Sequence, residues 1–131
     1  MGLNSTSLSG LSTENNSRTG DAPGHRDDRT TWSPEQLQKY KQFLGQAFDL
    51  PADNASREQV FFALSHLDEQ RLLRAAHEIT RDQQILFTYR EATQRIKANS
   101  NKKQQALFLQ LQRDALIEEI VSHLYHLGIV Q

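Results

Sequence analysis

Apolar residues recur at three- and four-residue steps from Leu37 onward, which is the spacing of amphipathic helices. A first helix is predicted to begin at Ser33, whose side chain can cap the free N–H groups, with Pro34 at the first helical position. Gln36, three residues after Ser33, completes a capping box. This helix is predicted to end in the polar segment 50–54.

Three more helices follow by the same reasoning. The second covers 56–67 and is capped by Ser56, with Gln59 completing another capping box. The third runs over 69–98 and the fourth over 102–127, where Gly128 supplies a left-handed C-cap. A short polar turn joins these two long helices. The sequence therefore predicts an all-α fold, a small helical bundle built on a long antiparallel helix hairpin.

The first 31 residues are mostly Ser, Thr, Asn, Gly and charged residues, with Leu3, Leu8 and Leu11 as their only bulky apolar groups. Such a segment cannot bury enough surface to offset the entropy lost on ordering. The sequence therefore predicts a disordered polar tail over 1–31 and a single helical domain over 32–131.

The fourth predicted helix changes character at Ala115. Beyond this residue apolar side chains occupy more of the helix circumference than the stripe of about 100° that one neighbouring layer requires. We therefore expect this half to serve as a dimer or partner interface. The interface candidates are Leu116, Ile117, Ile120, Val121, Leu124, Tyr125 and Leu127. Phe61, Phe62, Leu86 and Tyr89 are further candidates for contact with a partner.

Composition narrows the possible functions. The chain carries 15 basic and 16 acidic side chains, so it lacks the overall positive charge typical of nucleic-acid-binding proteins. It contains no cysteine, which excludes disulfides and thiolate chemistry. Neither a secretory signal nor an apolar run long enough to span a bilayer is evident. These features favour a cytoplasmic protein that does not bind membranes.

Histidines near the C-terminus are the best candidates for a metal site. Glu119, His123 and His126 fall on one side of the fourth predicted helix, and His66 and His77 could add to them. The spacing does not match a zinc-protease motif, and histidines commonly occur near helix C-termini because they interact well with the helix dipole. No phosphate-binding loop or Ser–His–Asp signature is present. We therefore predict no enzyme activity, metal or cofactor.

A helix-turn-helix over 56–81 is an alternative that favours DNA binding. Its second helix would carry Arg71, Arg74 and Arg81, but the same segment and the next residue also contain acidic side chains, namely Glu69, Glu78 and Asp82. A small DNA-binding regulator therefore stays an alternative. A helical secretion chaperone or adaptor is another.

The segments 72–86 and 115–129, separated by a polar joint at 99–104, resemble the TraM-type antiactivators of quorum sensing. The resemblance covers about half the chain and includes the ending Leu127-Gly128-Ile129. It implies a homodimeric helical protein that binds a LuxR-type transcription factor and prevents its dimerisation or its binding to DNA. The balanced charge and the absence of any site motif predict no cofactor and no direct contact with nucleic acid.

Overall fold

The computed structural model describes residues 27–51 and 54–131. In these ranges the secondary structure is entirely helical, with five α-helices preceded by a short 3-10 turn. The turn covers Asp28–Thr31, and the helices are α1 (Pro34–Phe48), α2 (Arg57–Ser65), α3 (Glu69–Thr80), α4 (Gln83–Asn99) and α5 (Lys102–His126). The predicted disorder of 1–26 concerns residues outside the described ranges.

The helix starts agree with the capping signals in the sequence. Ser33 Oγ accepts a hydrogen bond from Gln36 N at 3.2 Å, and Gln36 Oε1 accepts one from Ser33 N at 2.8 Å. Ser56 and Gln59 form the same reciprocal pair at the start of α2. Both predicted capping boxes are therefore confirmed, because these side chains satisfy N–H groups that lack partners within the helix.

The prediction of one continuous helix over 69–98 is wrong. Arg81 adopts a left-handed conformation with φ 55°, which ends α3, and Asp82 starts α4 by accepting a hydrogen bond from Gln84 N. Thr80 Oγ1 stabilises the break by accepting from Asp82 N and donating to Ala76 O. The apolar spacing continues across this break, so periodicity alone gives no sign of it.

The hydrophobic core lies between α1, α2, α3 and the C-terminal half of α5. Helix α3 is central, with half of its twelve residues buried. The last residues of the chain fold back onto the core, where Ile129 and Val130 are buried. Gly128, with φ 81°, allows this reversal, as the sequence predicts. The core therefore takes in almost all of the large apolar residues that follow Ala115.

Side-chain hydrogen bonds join α5 to α4. Gln112 of α5 donates hydrogen bonds from Nε2 to Tyr89 O at 2.8 Å and to Thr93 Oγ1 at 2.9 Å, both on α4. Nearer the connection, Gln105 Nε2 donates to Lys97 O. Helix α4 has no buried residue, and the buried residues of α5 begin only at Leu116. Helix α4 and the residues of α5 before Leu116 therefore lie largely outside the core.

Order begins before Trp32, where the sequence places the start of the domain. The side chain of Arg29 is fully buried. Its guanidinium donates to Ile79 O at 2.6 Å and to the Tyr40 hydroxyl at 2.9 Å. It also forms a salt bridge of 2.8 Å with Asp27. The assignment of residues 27–31 to a disordered tail is therefore wrong, because a buried arginine ties this segment to α1 and α3.

Candidate interaction surface

The C-terminal half of α5 faces the interior of its own chain. Six of the seven residues predicted to form the interface are each at most 6 % exposed, namely Leu116, Ile117, Ile120, Val121, Leu124 and Leu127. Only Tyr125, which is 46 % exposed, reaches the surface. The predicted interface is therefore wrong for these six residues. The wide apolar face is covered by α2, α3 and the C-terminal residues of the same chain, which leaves it inaccessible to a second copy.

Exposed apolar residues occur instead in the first half of α5. Leu107 and Leu111 are 56 % and 55 % exposed, and Phe108 is 40 % exposed. Helical spacing places them on one face with Gln104, Ala115 and Glu118. We call these six residues the α5 stripe. Its apolar centre lies between polar ends and has no covering element among the described residues.

A groove between α2 and α5 adjoins the far end of this stripe. Two cavities of about 480 and 390 Å³ lie along it and share Arg57 and Glu118 in their linings. Phe61 and Phe62 line the larger cavity, and Tyr125 lines the smaller one. Phe62 is 66 % exposed, and its ring lies 4.3 Å from the His66 ring, measured between centroids. We call this feature the α2–α5 groove.

The α2–α5 groove has more acidic than basic side chains. Glu58 and Glu118 line it, and Asp114 lies one helical turn before Glu118 on the same face of α5. None of the three forms a salt bridge within the described part of the chain. The guanidinium of Arg57 lies 4.1 Å from the centre of the Tyr125 ring, so its charge is engaged in a cation–π contact. The groove therefore favours cationic side chains from a binding partner.

The histidines that sequence spacing brings together do not converge on a common point. His123 Nδ1 contacts the backbone carbonyl of Glu119, and the His126 ring lies against the Tyr125 ring. Within residues 27–51 and 54–131 no group of three or more His, Asp or Glu side chains is arranged to hold a metal ion. His123 and His126 lie in the last turn of α5, where histidines interact well with the helix dipole.

Two of the predicted partner contacts, Leu86 and Tyr89, are half-buried on α4 and pack against the core. Burial raises the pKa of the Tyr89 hydroxyl, and the nearby Glu69 carboxylate adds to this shift. Leu86 lines a cavity of about 330 Å³ between α3 and α4 together with Arg74 and Arg90. This is a local basic patch. On α3, however, Arg71 Nη2 donates a hydrogen bond to Ala47 O at 2.7 Å, and the acidic Glu69 is exposed.

The Arg29 cluster was not found by sequence reasoning, because a lone arginine in a polar segment gives no pattern. Its hydrogen bonds to the Asp27 carboxylate lower the pKa of Asp27. Burial raises the pKa of the Tyr40 hydroxyl to about 12, and the neighbouring Glu78 carboxylate acts in the same direction. Tyr40 donates a hydrogen bond to Glu78 Oε2 at 3.0 Å. Every member has a structural partner, so the cluster stabilises the fold and leaves no free group for chemistry.

None of the helices in the described part of the chain combines the length and apolarity needed to cross a membrane. Comparisons with models of protein families, with curated proteins and with solved structures gave no match.

Proposed function

We propose that this protein is a homodimeric antiactivator that binds a LuxR-type transcription factor and blocks its dimerisation or its binding to DNA. The observation that carries the proposal is the exposure of large apolar side chains on α2 and in the first half of α5. The hydrophobic core of the fold is formed by other residues, so these exposed side chains are not needed for packing. Exposed apolar surface of this kind is typical of sites that bind other proteins.

The aromatic residues of α2 are the proposed contact for the transcription factor. Phe62 is the most exposed large apolar residue in the described part of the chain, and Phe61 lies beside it in the α2–α5 groove. Aromatic residues that fill a partner's pocket commonly dominate binding energy at protein interfaces. Both residues are among the partner contacts expected from the sequence.

The likeness to TraM-type antiactivators supports the proposal in a specific way. Its two segments, 72–86 and 115–129, contain much of the buried surface of α3 and α5. The likeness therefore concerns the residues that form the core, and it favours a shared helical framework. In this proposal the partner contacts lie on other faces.

The test is a titration of a preformed complex between a LuxR-type activator and fluorescently labelled operator DNA. Adding the protein should release the DNA, and the fluorescence anisotropy should fall to the value of free DNA. The protein should cause no anisotropy change with operator DNA alone. An activator–operator complex that survives a large excess of the protein would overturn the proposal. Direct binding to the operator would favour the DNA-binding alternative instead.

A further inference from the structure

We infer that the α5 stripe binds the α5 stripe of a second copy, with the two helices antiparallel and Leu111 at the two-fold axis. The inference deepens the homodimer that belongs to the proposed function, and it rests on that part of the proposal. The exposed face of α5 would then be covered by the same face of another chain.

The spacing of the stripe suits a helix-to-helix contact. Gln104, Leu107, Leu111 and Glu118 fall three, four and seven residues apart, which is the heptad spacing that keeps side chains facing a partner helix. The helix facing α5 on the other side, α4, meets it through Gln105 and Gln112, on a different face. The stripe is therefore available along its whole length.

The charges along the stripe specify the antiparallel direction. Its N-terminal end carries Lys103, and its C-terminal end carries Glu118 preceded by Asp114. In a parallel pair, like charges would meet at both ends. In an antiparallel pair centred on Leu111, Lys103 of one copy lies at the same height along the helix axis as residue 119 of the other copy. Lys103 also lies on the same edge of the contact as Glu118 of the other copy. The two-fold axis makes this pairing occur twice.

The α2–α5 groove supports the same register. Glu58 and Glu118 line its larger cavity, and neither has a salt-bridge partner among the residues that the structure describes. In the antiparallel pair this cavity lies on the edge that receives Lys103 of the other copy. The lysine therefore meets two carboxylates that share this cavity with only one cation, the Arg57 guanidinium, which lies over the Tyr125 ring. Glu119 points toward the opposite edge and takes no part in this pairing.

The apolar centre supplies the surface to be buried. Leu111 faces its own symmetry mate, and Leu107 lies at the level of Ala115 in the other helix. The small alanine side chain leaves room for the leucine opposite it. Phe108 lies on the edge nearer α4. A second copy therefore covers the three most exposed apolar side chains of α5 apart from Tyr125.

Disulfide cross-linking tests the register, because the natural chain contains no cysteine. Leu111→Cys should form a disulfide-linked dimer under mild oxidation, read on a non-reducing gel, because residues at a two-fold axis approach within the range of a disulfide. Phe87→Cys is the matched control, since Phe87 is 58 % exposed on α4 and lies outside the stripe. It should form no disulfide-linked dimer and should run as a single chain on the same gel. Equal cross-linking of both variants, or none with Leu111→Cys, would overturn the inference.

A charge exchange tests the direction independently. Sedimentation velocity should show the dimer dissociation constant rising about tenfold for Lys103→Glu and for Glu118→Lys, as expected for close charge pairs at an interface. Combining the two should restore it to within about threefold of the natural chain. Combining Lys103→Glu with Glu119→Lys is the control and should not restore it.

Failure of the exchange to restore association, or a natural chain that is monomeric at every concentration, would contradict the antiparallel pairing. A dimer with the predicted register that leaves the activator–operator complex intact would overturn the proposed function alone.

Discussion

Replacing Arg29 by alanine should strongly destabilise the fold, although the residue lies in a segment that reads as a polar tail. The substitution leaves Ile79 O without its donor and Asp27 without its counter-ion. Removing one member of a buried ion pair costs about 3–5 kcal/mol. The Asp27 side chain is 30 % exposed and can regain some hydration, so the lower end of that range applies, about 3 kcal/mol.

Urea unfolding followed by circular dichroism measures this loss of free energy directly. For a domain of about a hundred residues, about 3 kcal/mol also corresponds to a fall in melting temperature of roughly 12–20 °C. Arg29→Lys should lie in between, because one ammonium group cannot replace a guanidinium that reaches Asp27, Tyr40 and Ile79 together. Arg74→Ala is the matched control, since Arg74 is exposed on α3, and it should change stability by at most about 0.5 kcal/mol. Equal unfolding free energies for Arg29→Ala and Arg74→Ala would refute the reasoning.

Four other substitutions test the α5 stripe, the core, the titration of a buried group and the C-terminal turn. Leu111→Asp should leave the chain folded, as judged by its circular dichroism spectrum, but abolish the dimer in sedimentation. Ile120→Asp should unfold the chain, because Ile120 is fully buried and an unpaired carboxylate there costs several kcal/mol. Two folded variants would contradict this. Because burial raises the pKa of Tyr40 to about 12, the folded state retains a proton that the unfolded state loses near pH 10. Stability should therefore fall between about pH 10 and pH 12, and chemical denaturation should show a smaller fall for Tyr40→Phe. Gly128→Ala should cost about 1 kcal/mol in urea unfolding through backbone strain at φ 81°, since no atom within 4 Å would contact the added methyl group; an unchanged midpoint would refute this.

Local signals in the sequence predicted the helix starts well. Ser33 and Ser56 cap their helices through their own side chains and a residue three positions later, so both features can be read without tertiary structure. Gly128 is a similar case, because its left-handed conformation follows from the lack of a Cβ atom. Each of these features depends only on residues that are close together in the sequence.

The break between α3 and α4 had a weaker local signal. Arg81 is an unusual residue for a left-handed conformation, so its identity did not suggest a helix end. Asp82 could have suggested a helix start, since it accepts a hydrogen bond from Gln84 N as an N-cap. The uninterrupted apolar spacing nevertheless favoured a single helix over 69–98.

The prediction of the interface was wrong because it depended on tertiary contacts. A wide apolar face on a helix shows that both sides meet protein, but it does not show whether that protein is the same chain. Here α2, α3 and the residues around Ile129 cover the face. The exposed apolar surface of α5 is instead the narrower stripe around Leu111, which the sequence pattern shows as an ordinary amphipathic segment. The covered face and the exposed stripe differ in the burial of their side chains in the structure, whereas their hydrophobicity in the sequence does not distinguish them.

The central claim is that exposed residues outside the core bind the transcription factor. The most direct test compares Phe62→Asp with Phe87→Asp in the release of operator DNA from a LuxR-type activator, followed by fluorescence anisotropy. Both residues are exposed, at 66 % and 58 %, so both variants should fold, and circular dichroism checks this. Phe87→Asp should release the DNA like the natural chain, and Phe62→Asp should not. Release by both variants at the same concentration would contradict it.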